Sequence, residues 1–249
     1  MKRRIYGLAT ALTLITAGAV VAEAQIMSAQ DREAFGAQVR SYLLENPEVL
    51  EEAQRVLEER RATAAADRDA QLVLANWDAL YKDPMNPVLG NPEGLLTVVI
   101  FNDYNCGHCR ATAPDLERFV ELNPDTRLIV KEFPVLGAPS VIAASFAIAI
   151  WDLGGPEAYA IVKKRLFEDG PDPDAQALRD LATEVGVDAD EMTQKMGSEE
   201  VRSHLQRNVN LADALEIQGT PGLLFNDVVI RGRIPFETMV QVKQHLEGR

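Results

Sequence analysis

The chain contains two cysteines, Cys106 and Cys109, which stand in the stretch DYNCGHC with only Gly107 and His108 between them. A thiolate is the species that attacks a disulfide, and a free cysteine of pKa ~8.5 is only about 3% ionised at pH 7. Exchange chemistry at this pair therefore needs a feature that stabilises the anion. A helix beginning at Cys106 would supply one, because its unpaired N–H groups and positive dipole end lie beside the first sulfur. A protonated His108 would add positive charge. Cys109 then falls one turn inside the same helix, close enough to attack a mixed disulfide on Cys106. The two-residue spacing thus makes a nucleophile and its resolver, with Gly107 as spacer.

The same spacing also fits half of a zinc site or a small structural disulfide. Beyond the sulfurs, the soft or borderline ligands are His108, His204 and His245, and the last two are 41 residues apart rather than the usual three to five. A disulfide closing so short a loop gains little loop-closure entropy. Copper(I) held by two thiolates is the chemically reasonable rival. The leading expectation is redox exchange without metal or cofactor. His204 and His245 read as surface residues of charged helices.

The elements that must position the pair come next. LLTVVIF (95–101) is a β-rich run leading into the cysteine loop, a helical stretch follows to about Leu122, and TRLIVKEF (126–133) is a second strand. That order is a βαβ unit with parallel strands. From Ser140 to about Gln218 the pattern is helical, broken at Gly154-Gly155-Pro156, Gly170-Pro171 and Gly197. The chain returns to β at GLLF (222–225), turns at Asn226-Asp227, continues as VVIRG (228–232) and ends in an amphipathic helix from Pro235.

Upstream, apolar residues at helical spacing (Phe35, Val39, Leu43, then Val49, Leu50, Val56, Leu57) predict two helices broken at Asn46-Pro47, with Asn46 capping the second. EERRATAAADRDAQ (58–71) keeps helix propensity but loses the apolar stripe, which reads as a charged connector with little to pack against. DPMNPVLGNPEG (83–94) marks a boundary.

The first residues, MKRRIYGLATALTLITAGAVVAEAQ, join a basic start to an apolar run and the small-residue site Ala22-Glu23-Ala24, the pattern of a secretory signal peptide cut before Gln25. Export to the periplasm permits disulfide chemistry. Cleavage removes Lys2, Arg3, Arg4 and Glu23 and moves the formal charge from -13 to -15. So acidic a protein is a poor partner for nucleic acid or anionic membranes.

FNDYNCGHCRATAP, KEFPVLG and the distant GTPG resemble the DsbA-like thiol-disulfide oxidoreductases, and VRSYLLENPEVLEEA (39–53) resembles the N-terminal segment of their suppressor-of-copper-sensitivity type C subgroup. The resemblance implies an α/β thioredoxin fold with a helical domain inserted at about 139–218, preceded by an N-terminal helical oligomerisation segment. The expected organisation is a signal peptide (1–24), that segment (25–57), the connector (58–82) and a catalytic domain (83–249). By the same resemblance Cys106 attacks, Cys109 resolves, Thr220 and a cis Pro221 dock the substrate chain, and Pro114 kinks the active-site helix. Ile100 stands where many relatives carry a buried acid, leaving Asp103 and Glu132 as candidate substitutes. The CGHC pattern is also that of protein disulfide isomerases. The expected activity is disulfide isomerisation on unfolded or misfolded proteins, with dithiol oxidation and copper(I) binding as alternatives. A membrane redox partner and a homotrimer built through the N-terminal helices complete the reading.

Overall fold

The computed structural model describes residues 27–169 and 174–248; the signal-peptide assignment at 1–24 and the helix break expected at Gly170-Pro171 lie outside them. The chain divides into two units, Met1–Glu58 and Glu59–Arg249.

In the first unit, α1 (Ala29–Glu45) is capped by the Ser28 side chain, which accepts from the Asp31 amide at 3.2 Å. No residue of α1 is buried, and Phe35, Val39, Tyr42 and Leu44 are exposed. The helix stops at Asn46, and α2 (Glu48–Ala75) starts directly after Pro47, which cannot continue a helix from its N-terminal side. Asn46 does not cap α2 as the sequence suggests. Its side-chain amide instead donates to the Tyr42 carbonyl at 2.9 Å, satisfying the open carboxyl end of α1.

The second unit is built on a five-stranded sheet in the order β1-β3-β2-β4-β5. β2 (Leu96–Asn102) and β3 (Thr126–Glu132) are parallel and joined by α4 (Gly107–Leu122). β4 (Gly222–Phe225) runs antiparallel to β2, and β5 (Val228–Arg231) antiparallel to β4. β1 (Val88–Gly90) lies within the proline-rich stretch read as a boundary; it pairs antiparallel with β3. Three residues between two prolines carry too short a pattern to reveal a strand, and only the pairing with β3 makes it one.

Between β3 and β4 come the inserted helices α5 (Ala138–Asp169), α6 (Ala175–Glu184), α7 (Ala189–Met196) and α8 (Glu199–Ala214), and α9 (Phe236–Glu247) ends the fold. α5 changes direction at Gly155, whose φ of 76° is open to glycine at little cost. Its apolar run Phe146–Ile150 is fully buried in the cores of this unit. One core cluster joins β2, α4, α5 and α9, and a second on the opposite face of the sheet holds Phe101, Ile129, Leu215 and Leu224.

This second unit begins upstream of Asp83. Val73, Leu80 and Tyr81 are buried in the second cluster, the last two from the short α3 (Trp77–Tyr81). Most of 58–71 is exposed, as a charged connector should be, yet its end is tied down: Asp69 takes a two-pronged ion pair from Arg231 at 2.7 and 2.9 Å, and Arg68 pairs with Glu216. The surface reading of His204 is overturned. It is fully buried on α8, with Nδ1 3.5 Å from Asp83 and Nε2 3.3 Å from the Asn208 amide, because α8 packs this face on β3. His245 is exposed.

A chain starting at Glu59 should therefore fold, whereas one starting at Asp83 loses three buried side chains. At ~1.5–3 kcal/mol for each large apolar group, thermal unfolding of the two should differ widely. Equal midpoints would show that α3 and the end of α2 do not belong to this core.

Candidate active site

β2 delivers the chain to the cysteine loop at its carboxyl end. Asp103, buried at the turn, uses one carboxylate oxygen to accept from the Asn105 amide at 2.9 Å and the other to accept from Val135 and Leu136 at 2.8 and 3.1 Å. It thereby clamps the cysteine loop to the loop after β3. Cys106 is the N-cap of α4, with its carbonyl accepting the first helical bond from Arg110 at 3.0 Å. The open amides of the first turn lie beside it. Its Sγ donates to the Thr220 carbonyl at 3.2 Å, and the Thr220-Pro221 bond is cis. The fold thus brings the GTPG stretch against the first sulfur, as the resemblance implies. Pro114 lies inside α4, where it offers no N–H to the Arg110 carbonyl.

Both free thiols are buried, Cys106 less completely at 7% exposure. Cys109 is 1% exposed, and burial pushes its thiol up to about 12, opposed by a hydrogen bond from the Asp103 backbone. Gly107 and His108 are exposed at the rim; the His108 carbonyl accepts from the Thr112 hydroxyl at 2.8 Å, which fixes the turn that carries the imidazole. Among the described residues no group of three or more His, Cys, Asp or Glu side chains is gathered as a metal site.

Below the sulfurs lies a polar cluster. Ile100 is buried and apolar, opposite Val130, and the buried acid stands two residues further along β3, opposite Asn102: Glu132, fully buried, accepts from Tyr104 at 2.7 Å and Tyr159 at 2.6 Å through one oxygen. Burial lifts its carboxyl to about 7, against the lowering effect of the two hydroxyls. The buried Asn102 side chain also acts on this carboxyl, adding to the lowering effect. Asp103, the other candidate, is committed to backbone amides. Tyr159 and Lys163, on α5, were invisible as site residues because an apolar helix with a lysine pair carries no chemical signature.

Fold and paired sulfurs define a thioredoxin-fold thiol-disulfide oxidoreductase. The sequence matches the thioredoxin family over residues 82–242, and the chain belongs to that family. Residues 31–64 match the copper resistance protein ScsC N-terminal domain, which makes it a DsbA-like member of the ScsC type. Similar solved structures include Proteus mirabilis ScsC in a transitional conformation (29% identity, 90% of this chain and 100% of that one, TM-score 0.64). A thioredoxin-like oxidoreductase from Silicibacter pomeroyi is 31% identical over 69% of this chain and 98% of its own, with a TM-score of 0.63. Disulfide bond formation protein D of Bacillus subtilis is 25% identical over 66% of this chain and 78% of its length.

Two measurements probe this site. At pH 7.5 iodoacetamide should modify Cys106 and spare Cys109 until the protein is unfolded; equal labelling would remove the asymmetry. Stability should also carry two opposed pH signatures. Burial lowers His204 from 6.5 to about 4, so its contribution is complete above 6.5 and is lost as pH falls through 4. Glu132, raised from 4.5 to about 7, contributes fully below 4.5 and loses that contribution as pH rises through 7. In urea titrations, His204→Gln should gain on the wild type by up to about 3 kcal/mol between pH 6.5 and 4. Glu132→Gln should gain a similar amount from pH 4.5 to 7. Variant and wild-type curves that run parallel would refute both assignments.

Proposed function

We propose that this thiol-disulfide oxidoreductase is an exported disulfide isomerase of the periplasm, acting on unfolded or misfolded proteins that carry cysteines. The observation that carries the exchange chemistry is the contact of Cys106 Sγ with the Thr220 carbonyl at the N-terminus of α4. The reduced pair works as follows. Cys106 attacks a substrate disulfide and forms a mixed disulfide, releasing one substrate sulfur as a thiolate. That thiolate, or another on the same substrate, attacks back to give a new pairing and restores Cys106. Where no substrate thiol is in position, Cys109 attacks Cys106, the substrate leaves reduced, and a membrane redox partner must return the Cys106–Cys109 disulfide to the dithiol. His108 favours the Cys106 thiolate from the rim, and Thr220 with Pro221 receives the substrate backbone.

The preference for isomerisation over donation of disulfides rests on the first unit. The exposed Phe35, Val39, Tyr42 and Leu44 of α1 ask for a partner, and the match to the ScsC N-terminal domain lies over these same residues. Assembly through residues 25–57, as a homotrimer, would surround one substrate with several active sites.

Cys106→Ser should abolish exchange, and activity retained without this sulfur would sink the mechanism. Reactivation of a scrambled, fully oxidised test protein should require residues 25–58 in addition to the unit from Glu59, with sedimentation reporting a trimer only for the longer chain. Reactivation by both chains alike would detach isomerase function from assembly. Oxidation of a reduced peptide without any reactivation would make the protein a dithiol oxidase, and tight one-to-one copper(I) binding without turnover would favour the metal reading.

A further inference from the structure

The loop that brings Thr220 to Cys106 is gripped at both ends by two adjacent residues, Arg231 at the end of β5 and Gly232. Arg231 donates from Nε to the Glu216 carbonyl at 3.0 Å and from Nη2 to the Leu215 carbonyl at 2.8 Å, at the open carboxyl end of α8. Gly232 donates its amide to the Pro221 carbonyl at 2.9 Å. Across the β4–β5 ladder Arg231 stands opposite Gly222, the residue after Pro221. The loop also closes on itself: a Cβ at Gly222 would lie 2.5 Å from Ile217 Cγ2, so the buried Ile217 sits directly on the Gly222 backbone. Between these fixed points Gln218 and Gly219 are exposed and Thr220 is half-buried.

The guanidinium is held in turn from α2. Asp69 accepts from Nη1 and Nη2 at 2.9 and 2.7 Å, and Arg68 pairs with the Glu216 side chain. An exposed ion pair adds little to stability, and an arginine at a helix carboxyl end is a common cap. Here the Asp69 side chain is only 16% exposed, and its two-pronged bond fixes the plane of the guanidinium fork. The same plane serves two successive carbonyls at the start of the loop. Glu216 itself lies at φ 57°, a left-handed conformation that a non-glycine residue keeps only where its surroundings hold it. Arg231 holds its carbonyl and Arg68 its side chain.

Resting on the reading that Thr220 and Pro221 receive the substrate backbone, we propose that Asp69 and Arg231 are positioning residues for peptide docking. The Asp69 carboxylate fixes the guanidinium, the guanidinium fixes the start of the loop, and the loop presents Thr220 at Cys106. The pair acts through the loop backbone, so it governs how tightly a polypeptide disulfide is held rather than the exchange of sulfurs. The end of the connector thereby belongs to the docking site and is more than a tether.

The test mixes the reduced full chain with rising concentrations of one of two disulfides and follows loss of protein thiols by acid quench and thiol tagging. A peptide disulfide offers a backbone to dock; 2-hydroxyethyl disulfide has none. Asp69→Asn, and Arg231→Lys, which keeps a charge but cannot span both carbonyls, should raise the half-saturating peptide concentration at least about fivefold and leave the plateau rate within about twofold. Their rate constants with 2-hydroxyethyl disulfide should stay within about twofold of the wild type, and Asp69→Glu, which keeps the carboxylate, should come within about twofold on the peptide. Circular dichroism and urea titration establish that each variant is folded, with Val73, Leu80 and Tyr81 still anchoring this part of the chain in the core. Wild-type half-saturation in Asp69→Asn would overturn the proposal. So would equal losses on both disulfides, which describe a pair that serves the fold alone, or an Asp69→Glu chain as impaired as Asp69→Asn. A wild type that takes the peptide no more readily than 2-hydroxyethyl disulfide removes the docking reading itself, a failure distinct from a peptide-selective wild type with an indifferent Asp69.

Discussion

The site depends on one short contact, that of Cys106 Sγ with the carbonyl of Thr220, 114 residues further along the chain. A sulfur at a helix N-terminus gains a favourable local field wherever such a helix occurs. It becomes a directed site when a second backbone segment is held against it. The antiparallel pairing of β4 with β2 does this here, because Phe101↔Gly222 and Ile100↔Leu223 fix the register just before the cysteine loop and just after Pro221. Asp103 completes the clamp by tying the same loop to the residues after β3. Three remote pieces of chain thus meet at one sulfur.

The two cysteines share a helix turn and a core cluster but differ in depth. Cys106 keeps 7% of its surface open at the N-terminus of α4, against the Thr220 carbonyl, while Cys109, at 1%, lies one turn deeper in the same core cluster. Burial keeps the second sulfur protonated, which makes it chemically distinct without any difference in residue type. The same core tolerates Glu132 because two tyrosine hydroxyls meet its carboxylate oxygen at 2.6 and 2.7 Å. A second buried polar set, centred on His204, lies where α8 packs on β3, and Asn208 links the two sets by donating to the Glu132 carbonyl at 3.1 Å. The interior around the sheet is therefore polar in two places, each arranged so that burial favours the neutral form of a titratable group.

The first unit poses a different physical problem. Its helices carry apolar side chains at regular spacing, yet α1 buries none of them. In the second unit every helix from α6 onward buries at least one apolar side chain among its described residues, and α5 contributes the fully buried stretch around Phe146. The contrast separates a unit with a packed core, which holds both cysteines, from a helix whose apolar side chains stay exposed.

Much of this was legible from local pattern. The CxxC at a strand-to-helix junction, the parallel β2–α4–β3 unit, the GLLF strand and the helix break at Pro47 all follow from spacing and from residues whose backbone limits are strong. What tertiary structure alone decided is of another kind. β1 is too short to announce itself, and Asn46 turns back to α1 although its residue type suits either end. His204 resembles a surface histidine until α8 packs it on β3. Glu132 and Lys163 look like ordinary charges in a strand and a helix until packing removes their water. Sequence spacing determines which atoms share a turn or a strand face, because the backbone repeat is fixed. Burial, and with it the protonation state of Cys109, Glu132 and His204, is set by which distant elements meet, since the cost of charge depends on everything that surrounds it.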